Sequence, residues 1–255
     1  MTKTVYFVGA GPGDPELITV KGRRLIEEAD RVIYTGSLVP QVHLECCRPE
    51  ASIHNSAALT LAQTHALIAE GYHNGELVVR LHTGDPSLYG AIQEQMVLLN
   101  RERIPYEVVP GVSAVFAAAA ALKQELTLPE VSQTLILTRL AGRTPVPERE
   151  QLRQLAAHRA TLVIYLSVQQ IEQVVAELRY HYPAETPMVV AYRVGWPEET
   201  LMKTTLADAV SAVKAAGISR QALIMVGEVF AAAARQEFAQ SKLYDESFSH
   251  GYRKS

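Results

Sequence analysis

Short apolar runs rich in β-branched residues recur along almost the whole chain, and longer amphipathic stretches separate them. The runs are "TVYFVG" (4–9), "RVIY" (31–34), "LVVRL" (77–81), "YEVVP" (106–110), "TLILTRL" (134–140), "TLVIYL" (161–166), "MVVAYRV" (188–194), "LMKTTL" (201–206) and "ALIMVGEV" (222–229). Between them, residues 61–70, 88–101, 169–181 and 206–216 carry apolar side chains at helical spacing. Strands that alternate with helices call for a mostly parallel sheet with both faces covered. The runs at 188–194 and 201–206 are joined only by the short "GWPEET", which predicts an antiparallel hairpin and a mixed sheet in the later half.

The expectation is therefore an α/β protein of two lobes. The first, residues 1–122, has a mostly parallel sheet and glycine-rich loops. A linker over 123–133 leads to a second α/β lobe with a mixed sheet, 134–234, and a polar tail, 235–255. A cleft between two such lobes is a common place for a ligand.

Composition narrows the function classes. With 255 residues, 48% of them apolar, and a formal net charge of −3, the chain has no basic field to draw nucleic acid or an acidic membrane. No apolar stretch approaches the length of a membrane span or of a secretory leader, so a cytoplasmic protein is expected. The two cysteines, Cys46 and Cys47, are adjacent, and the eight histidines show no ligand spacing, so no metal site is expected.

The stretch "VYFVGAGPGDPELIT" (5–19) has the look of a dinucleotide loop, but its third glycine comes one place early. Pro12 and Pro15 have no N–H to offer a phosphate, and Asp14 would set a carboxylate against it. The loop does mark a helix start, with Asp14 as cap, Pro15 at the first position and Glu16 in the first turn. The same strand-to-turn pattern recurs in "VVRLHTGDPSLYG" (78–90) and "YEVVPGVSAVFAAAAAL" (106–122), where Asp85 and Ser113 stand at the turns. Three glycine-containing turns at the carboxyl ends of strands outline one edge of a crevice.

Taken together, "VGAGPGDPELIT" (8–19), "TGDPSLYG" (83–90), "VPGVSA" (109–114), "IYLS" (164–167), "AYRVGWPEE" (191–199) and "ALIMVGEV" (222–229) resemble the tetrapyrrole (corrin/porphyrin) methylase family, in its order and over almost the whole chain. The resemblance implies an S-adenosyl-L-methionine-dependent methyltransferase that acts on a tetrapyrrole and forms a homodimer. Its cofactor carries no phosphate, so the prolines and the aspartate are no obstacle. The resemblance assigns cofactor contacts to Pro12 in the first loop, to Thr83, Gly84, Asp85 and Leu88 in the second, and to Ser113 and Ala114 in the third. From the second lobe it assigns Leu166, as an apolar surface for adenine, and Ala191, Tyr192, Arg193, Gln221 and Ala222.

Methyl transfer from a sulfonium to a ring carbon that becomes quaternary releases no proton from that carbon. Positioning and water exclusion then carry the rate, and no general base is assigned. Asp85 is the leading functional carboxylate; its other role is as a helix cap. A substrate with many acetate and propionate groups calls for basic side chains, for which Lys21, Arg80, Arg139, Arg143 and Arg193 are the candidates. Tyr89, Tyr165 and Tyr192 are candidates to pack against cofactor or macrocycle. Two rival functions are a dinucleotide-dependent oxidoreductase, which rests on Gly9-Ala10-Gly11, and a tetrapyrrole carrier without catalysis.

Overall fold

The computed structural model describes residues 4–235, 238–244, 248–249 and 251–253; the expected tail therefore lies partly outside the described residues. Two compact units are present, Met1–Ala117 with Arg193–Pro197, and Ala118–Tyr192 with Glu198–Ser255.

The first unit is built on β1 (Val5–Gly9), β2 (Arg31–Tyr34), β3 (Ser52–Asn55), β4 (Val78–His82) and β5 (Tyr106–Val109). Their order is β3-β2-β4-β1-β5 and every pairing is parallel, as the alternation predicts. β2 and β4 are buried at every position, which is why they read as continuous apolar runs rather than alternating ones. β3 escapes sequence reading because "SIHN" has one apolar residue; it is an edge strand whose side chains alternate between half-buried and exposed.

One face of this sheet packs Val8, Val32, Val79 and Leu81 against Leu25 and Ile26 of α1 (Val20–Glu28). On the other face Val5, Phe7, Ile33 and Val78 pack with Ile68 of α2 (Leu61–His73) and Leu99 of α3 (Ile92–Arg101). Thr19 caps α1 through Gly22 N at 3.1 Å, and Thr60 with Gln63 forms a capping box on α2. α3 begins at residue 92 rather than 88, because Tyr89 and Ala91 take left-handed backbone (φ 56° and 49°) and occupy a turn. The helices that follow β1 and β4 thus cover opposite faces, so the carboxyl ends of these adjacent strands form the switch point where an open α/β sheet holds its ligand.

The second unit contains β6 (Leu135–Arg139), β7 (Thr161–Tyr165), β8 (Pro187–Tyr192), β9 (Thr200–Thr205) and β10 (Ala222–Val226), in the order β6-β7-β10-β8-β9. Only β6 and β7 run parallel; β8 and β9 form the expected antiparallel hairpin. The core gathers Leu162, Ile164, Val190, Ile224 and Val226 with Val174 and Leu178 of the helix Ile171–Leu178. Residues 123–133 are fastened to this unit. Leu126 and Leu128 are buried, and Thr161 Oγ1 donates to the Leu126 carbonyl at 2.9 Å. No helix among the described residues is long and apolar enough to cross a membrane.

At the amino end of β2, Arg31 lies almost fully buried, with Nε 2.6 Å from Glu76 Oε2 and Nη1 2.8 Å from Glu70 Oε2. Removing one partner of such a pair leaves a carboxylate without compensation. Arg31→Met is expected to cost about 3 kcal/mol in urea unfolding. Breaking the half-exposed Lys21–Glu107 pair with Lys21→Met is expected to cost less than about 1 kcal/mol in the same measurement.

Candidate functional site

Three main-chain segments meet at the carboxyl ends of β4, β1 and β5. A Cβ on Gly9 would stand 2.6 Å from the Gly84 carbonyl oxygen and 2.7 Å from Gly111 N, and one on Gly111 would overlap that same oxygen. Only glycine fits at either place. The approach is sewn by hydrogen bonds. Ala10 N donates to the His82 carbonyl at 2.7 Å, Gly84 N to the Gly11 carbonyl at 2.7 Å, and Gly11 N to the Gly84 carbonyl at 3.3 Å. The glycines of the first and third loops therefore serve chain-to-chain packing.

Gly84 differs. Its φ is +59°, and a Cβ there would meet nothing closer than Ser113 Cα at 3.9 Å and Ala114 N at 4.0 Å. Gly84, Ser113 and Ala114 thus border a main-chain cradle with room for a methyl at Gly84. Asp85 lies beside it and accepts from Ser87 N at 2.8 Å and from Gly111 N at 2.9 Å. The cap role considered for Asp85 is corrected, since no helix starts between Asp85 and Ile92; its carboxylate instead holds the turn through Ser87 N and ties the second loop to the third. Asp14 likewise caps the short 3-10 turn Pro15–Leu17, through Glu16 N at 2.8 Å, and Thr19 opens the helix proper.

The first loop is held by its carbonyls. Trp196 Nε1 donates to the Pro12 carbonyl at 3.1 Å, and His43 Nε2 lies 3.2 Å from the Gly13 carbonyl. A carbonyl only accepts, so the His43 proton sits on Nε2. Burial pushes the His43 pKa down and keeps the ring neutral. Neither residue stands out in sequence as part of this loop. Trp196 is the one tryptophan of the chain, and His43 carries no motif at all.

Arg80 is corrected as a substrate cation. It is buried, with Nε 3.2 Å from Gln95 Oε1 and Nη1 3.1 Å from the Ile33 carbonyl, and burial lowers its pKa to about 10. Alternation places it on the α3 face of β4, away from the strand end. His82, on the same face, is 4% exposed, and its Nε2 has no partner. Burial, with the Arg80 charge adding to it, lowers its pKa to about 3. Lys21 is paired with Glu107 at 2.7 Å, and Arg143 is exposed. Arg139 braces its own loop through the carbonyls of Thr144 (2.8 Å) and Pro145 (2.9 Å).

In the second unit the sheet register gathers the remaining candidates. Ile224 pairs with Ile164, two residues before Leu166, and Ala222 pairs with Tyr192. Arg139 pairs with Tyr165 in the same region. Leu166, Gln221–Ala222 and Ala191–Tyr192 thus share one end of one sheet. Leu166 and Gln221 take left-handed backbone (φ 54° and 53°), a conformation that costs a non-glycine residue about 1–2 kcal/mol. Leu166 is 69% exposed, an apolar side chain held outward by that backbone. Ser167 pins the kink by donating to the Tyr165 carbonyl at 2.6 Å and accepting from Leu140 N at 2.9 Å. Arg193, also left-handed (φ 47°), belongs to the first unit, with its guanidinium 5.3 Å from the Trp196 ring centre.

Gly111→Ala is expected to lower stability by about 3 kcal/mol, because backbone rather than a flexible side chain blocks the methyl; chemical denaturation measures it. His82 gives a pH signature. Its folded pKa lies below the unfolded 6.5, so its contribution is complete above pH 6.5 and is lost as pH falls toward about 3. The expected slope is up to about 1.4 kcal/mol per pH unit, read by urea unfolding at stepped pH, and His82→Leu flattens it.

The model of a family described as Tetrapyrrole (Corrin/Porphyrin) Methylases matches residues 4–210. The chain is 52% identical to a cobalt-precorrin-4 C(11)-methyltransferase of Methanocaldococcus jannaschii, over 99% of this chain and 97% of that one. It is also 52% identical to a precorrin-4 C(11)-methyltransferase of Pseudomonas aeruginosa, over 98% of each. Among solved structures, a cobalt precorrin-4 methyltransferase superposes with a TM-score of 0.87 at 46% identity, covering 89% of this chain and 95% of that one. A uroporphyrin-III C-methyl transferase of Thermus thermophilus complexed with S-adenyl homocysteine superposes with a TM-score of 0.74 at 28% identity, covering 94% and 96%. The chain belongs to the tetrapyrrole (corrin/porphyrin) methylase family.

Proposed function

We propose that this protein is an S-adenosyl-L-methionine-dependent methyltransferase that methylates precorrin-4 at C11 to give precorrin-5 in cobalamin biosynthesis. The observation that carries it is 52% identity, over nearly the full chain, to proteins named for that transfer. Those two relatives are named for the cobalt-bearing and the metal-free substrate respectively, so cobalt-precorrin-4 is the alternative acceptor. The family resemblance also supports a homodimer, and a cytoplasmic location goes with the proposal.

The residues fit the cofactor. The cradle at Gly84 leaves room beside main chain, bounded by Ser113 and Ala114, and requires no phosphate-binding N–H array. Gly84, Ser113 and Ala114 would hold it there, with Pro12, Thr83, Asp85 and Leu88 from the adjoining turns. Leu166 offers an exposed apolar surface suited to adenine, at the sheet end where Ala222 pairs with Tyr192; Ala191, Arg193 and Gln221 complete the proposed contacts. When bound, the cofactor supplies an electrophilic methyl group on a sulfonium sulfur. The chain's task is to orient and to exclude water. Strand ends, paired loops and a strained Leu166 suit that task, since a contact already in place costs no ordering at the moment of reaction. His82, one residue before Thr83, is sealed and neutral, and the chemistry asks no proton transfer of it. With Arg80 withdrawn, Arg143, Arg193 and Lys21 are the proposed cations for the substrate carboxylates, and Arg139 braces the loop that presents Arg143.

Incubation with each of the two precorrins and methyl-labelled cofactor, followed by NMR of the product, is expected to place the label on C11. Calorimetry is expected to detect S-adenosylhomocysteine binding; binding of NADPH in its place would favour the oxidoreductase. Gly84→Ala puts a methyl into the cradle. It is expected to weaken S-adenosylhomocysteine at least tenfold while costing only about 1–2 kcal/mol of stability.

A further inference from the structure

We propose that Trp196 is a positioning residue for the cofactor loop, acting through its hydrogen bond to the Pro12 carbonyl. The inference rests on the cofactor assignment above and goes beyond it, because Trp196 is not among the proposed contacts but bonds to two of them, Pro12 and Arg193. Trp196 stands in the segment Arg193–Pro197, which packs as part of the first unit although it follows β8 of the second sheet in sequence. Its backbone N donates to the Arg193 carbonyl at 2.9 Å, a turn that sets the indole direction. The indole then covers Gly13 so closely that a Cβ on Gly13 would overlap ring atom Cδ1. Its Nε1–H reaches the Pro12 carbonyl at 3.1 Å.

The loop needs an outside anchor for a covalent reason. Pro12 and Pro15 have no N–H, so the turn cannot be tied down through amide donors at those two places. Gly11 N already bonds the Gly84 carbonyl on one side of Pro12, and the carbonyls of Pro12 and Gly13 offer further handles at the tip. Two consecutive carbonyls are each taken by one side chain, Pro12 by Trp196 and Gly13 by His43. His43 is buried, and its bond joins residues 30 apart in sequence. Trp196 is the anchor that arrives from 184 residues away in sequence. Loss of its donor leaves the ring packing in place but frees the peptide next to the proposed ligand contact. The expected effect falls on cofactor affinity more than on the chemical step.

The test uses the full-length protein and two readouts. Because the chain has a single tryptophan, it has a single indole N–H cross-peak in a nitrogen–proton correlation spectrum. Saturating S-adenosylhomocysteine is expected to move that peak and to slow its hydrogen exchange. Trp196→Phe keeps an aromatic ring and removes the donor; it is expected to raise the Kd of S-adenosylhomocysteine and the KM of the methyl donor about five- to tenfold, with kcat within about twofold of wild type. The proposal is overturned if wild-type protein binds S-adenosylhomocysteine while the indole peak stays still. It is equally overturned if Trp196→Phe melts earlier yet binds with wild-type affinity. If that variant does not fold, the wild-type spectrum decides alone. Wild-type protein that fails to bind S-adenosylhomocysteine at all refutes the cofactor assignment itself, and this proposal with it.

Discussion

Where β1, β4 and β5 release the chain, Gly9 and Gly111 approach each other and the Gly84 carbonyl more closely than any residue with a Cβ allows. That contact sets the geometry of the first unit. It brings the turn after β4 against the turn after β1, lets Gly84 and Gly11 exchange hydrogen bonds, and puts the Asp85 carboxylate within 2.9 Å of Gly111 N. Two of the three glycines are consumed in this packing. The third, Gly84, has room for a Cβ in ordinary contact with Ser113 and Ala114, and the difference separates the glycines that serve packing from the one proposed to border a ligand.

The chemistry proposed for the protein matches what this scaffold does well. Two buried titratable groups of β4 are silenced: His82 is held neutral by desolvation, and Arg80 is locked to Gln95 and the Ile33 carbonyl. A reaction needing a poised base would find none in that pair. A displacement at a sulfonium methyl needs oriented partners and little water, and a set of rigid turns supplies orientation. The second sheet contributes in kind, with Leu166 fixed outward by a left-handed backbone and braced by Ser167.

Legibility followed local physics. Strands buried on both faces announce themselves as apolar runs, and β1, β2, β4, β7, β8 and β10 were legible for that reason. The hairpin β8–β9 was legible because its connector is too short for a crossover. β3 was not, since an edge strand with solvent on its outer side needs no apolar run. The late start of α3 was hidden because left-handed Tyr89 and Ala91 carry no sequence mark. Within the site, motif residues such as Gly84 and Ser113 could be named in advance, whereas Arg80 was misjudged: its charge was visible, its burial was not. Trp196 and His43 were invisible as loop anchors, since a hydrogen bond across 184 residues leaves no local pattern.

The amino-acid order alone settled the class of fold, the parallel and mixed character of the two sheets, the unsuitability of the first loop for phosphate, and the family. Each of these depends on neighbours in the chain: apolar periodicity, connector length, missing N–H groups on proline, and motif spacing. Which glycine stays open, which cations are sealed away, and which distant side chain grips the Pro12 carbonyl depended on folding. Those outcomes are set by contacts between segments far apart in sequence, where burial and close approach exist only once the chain has packed.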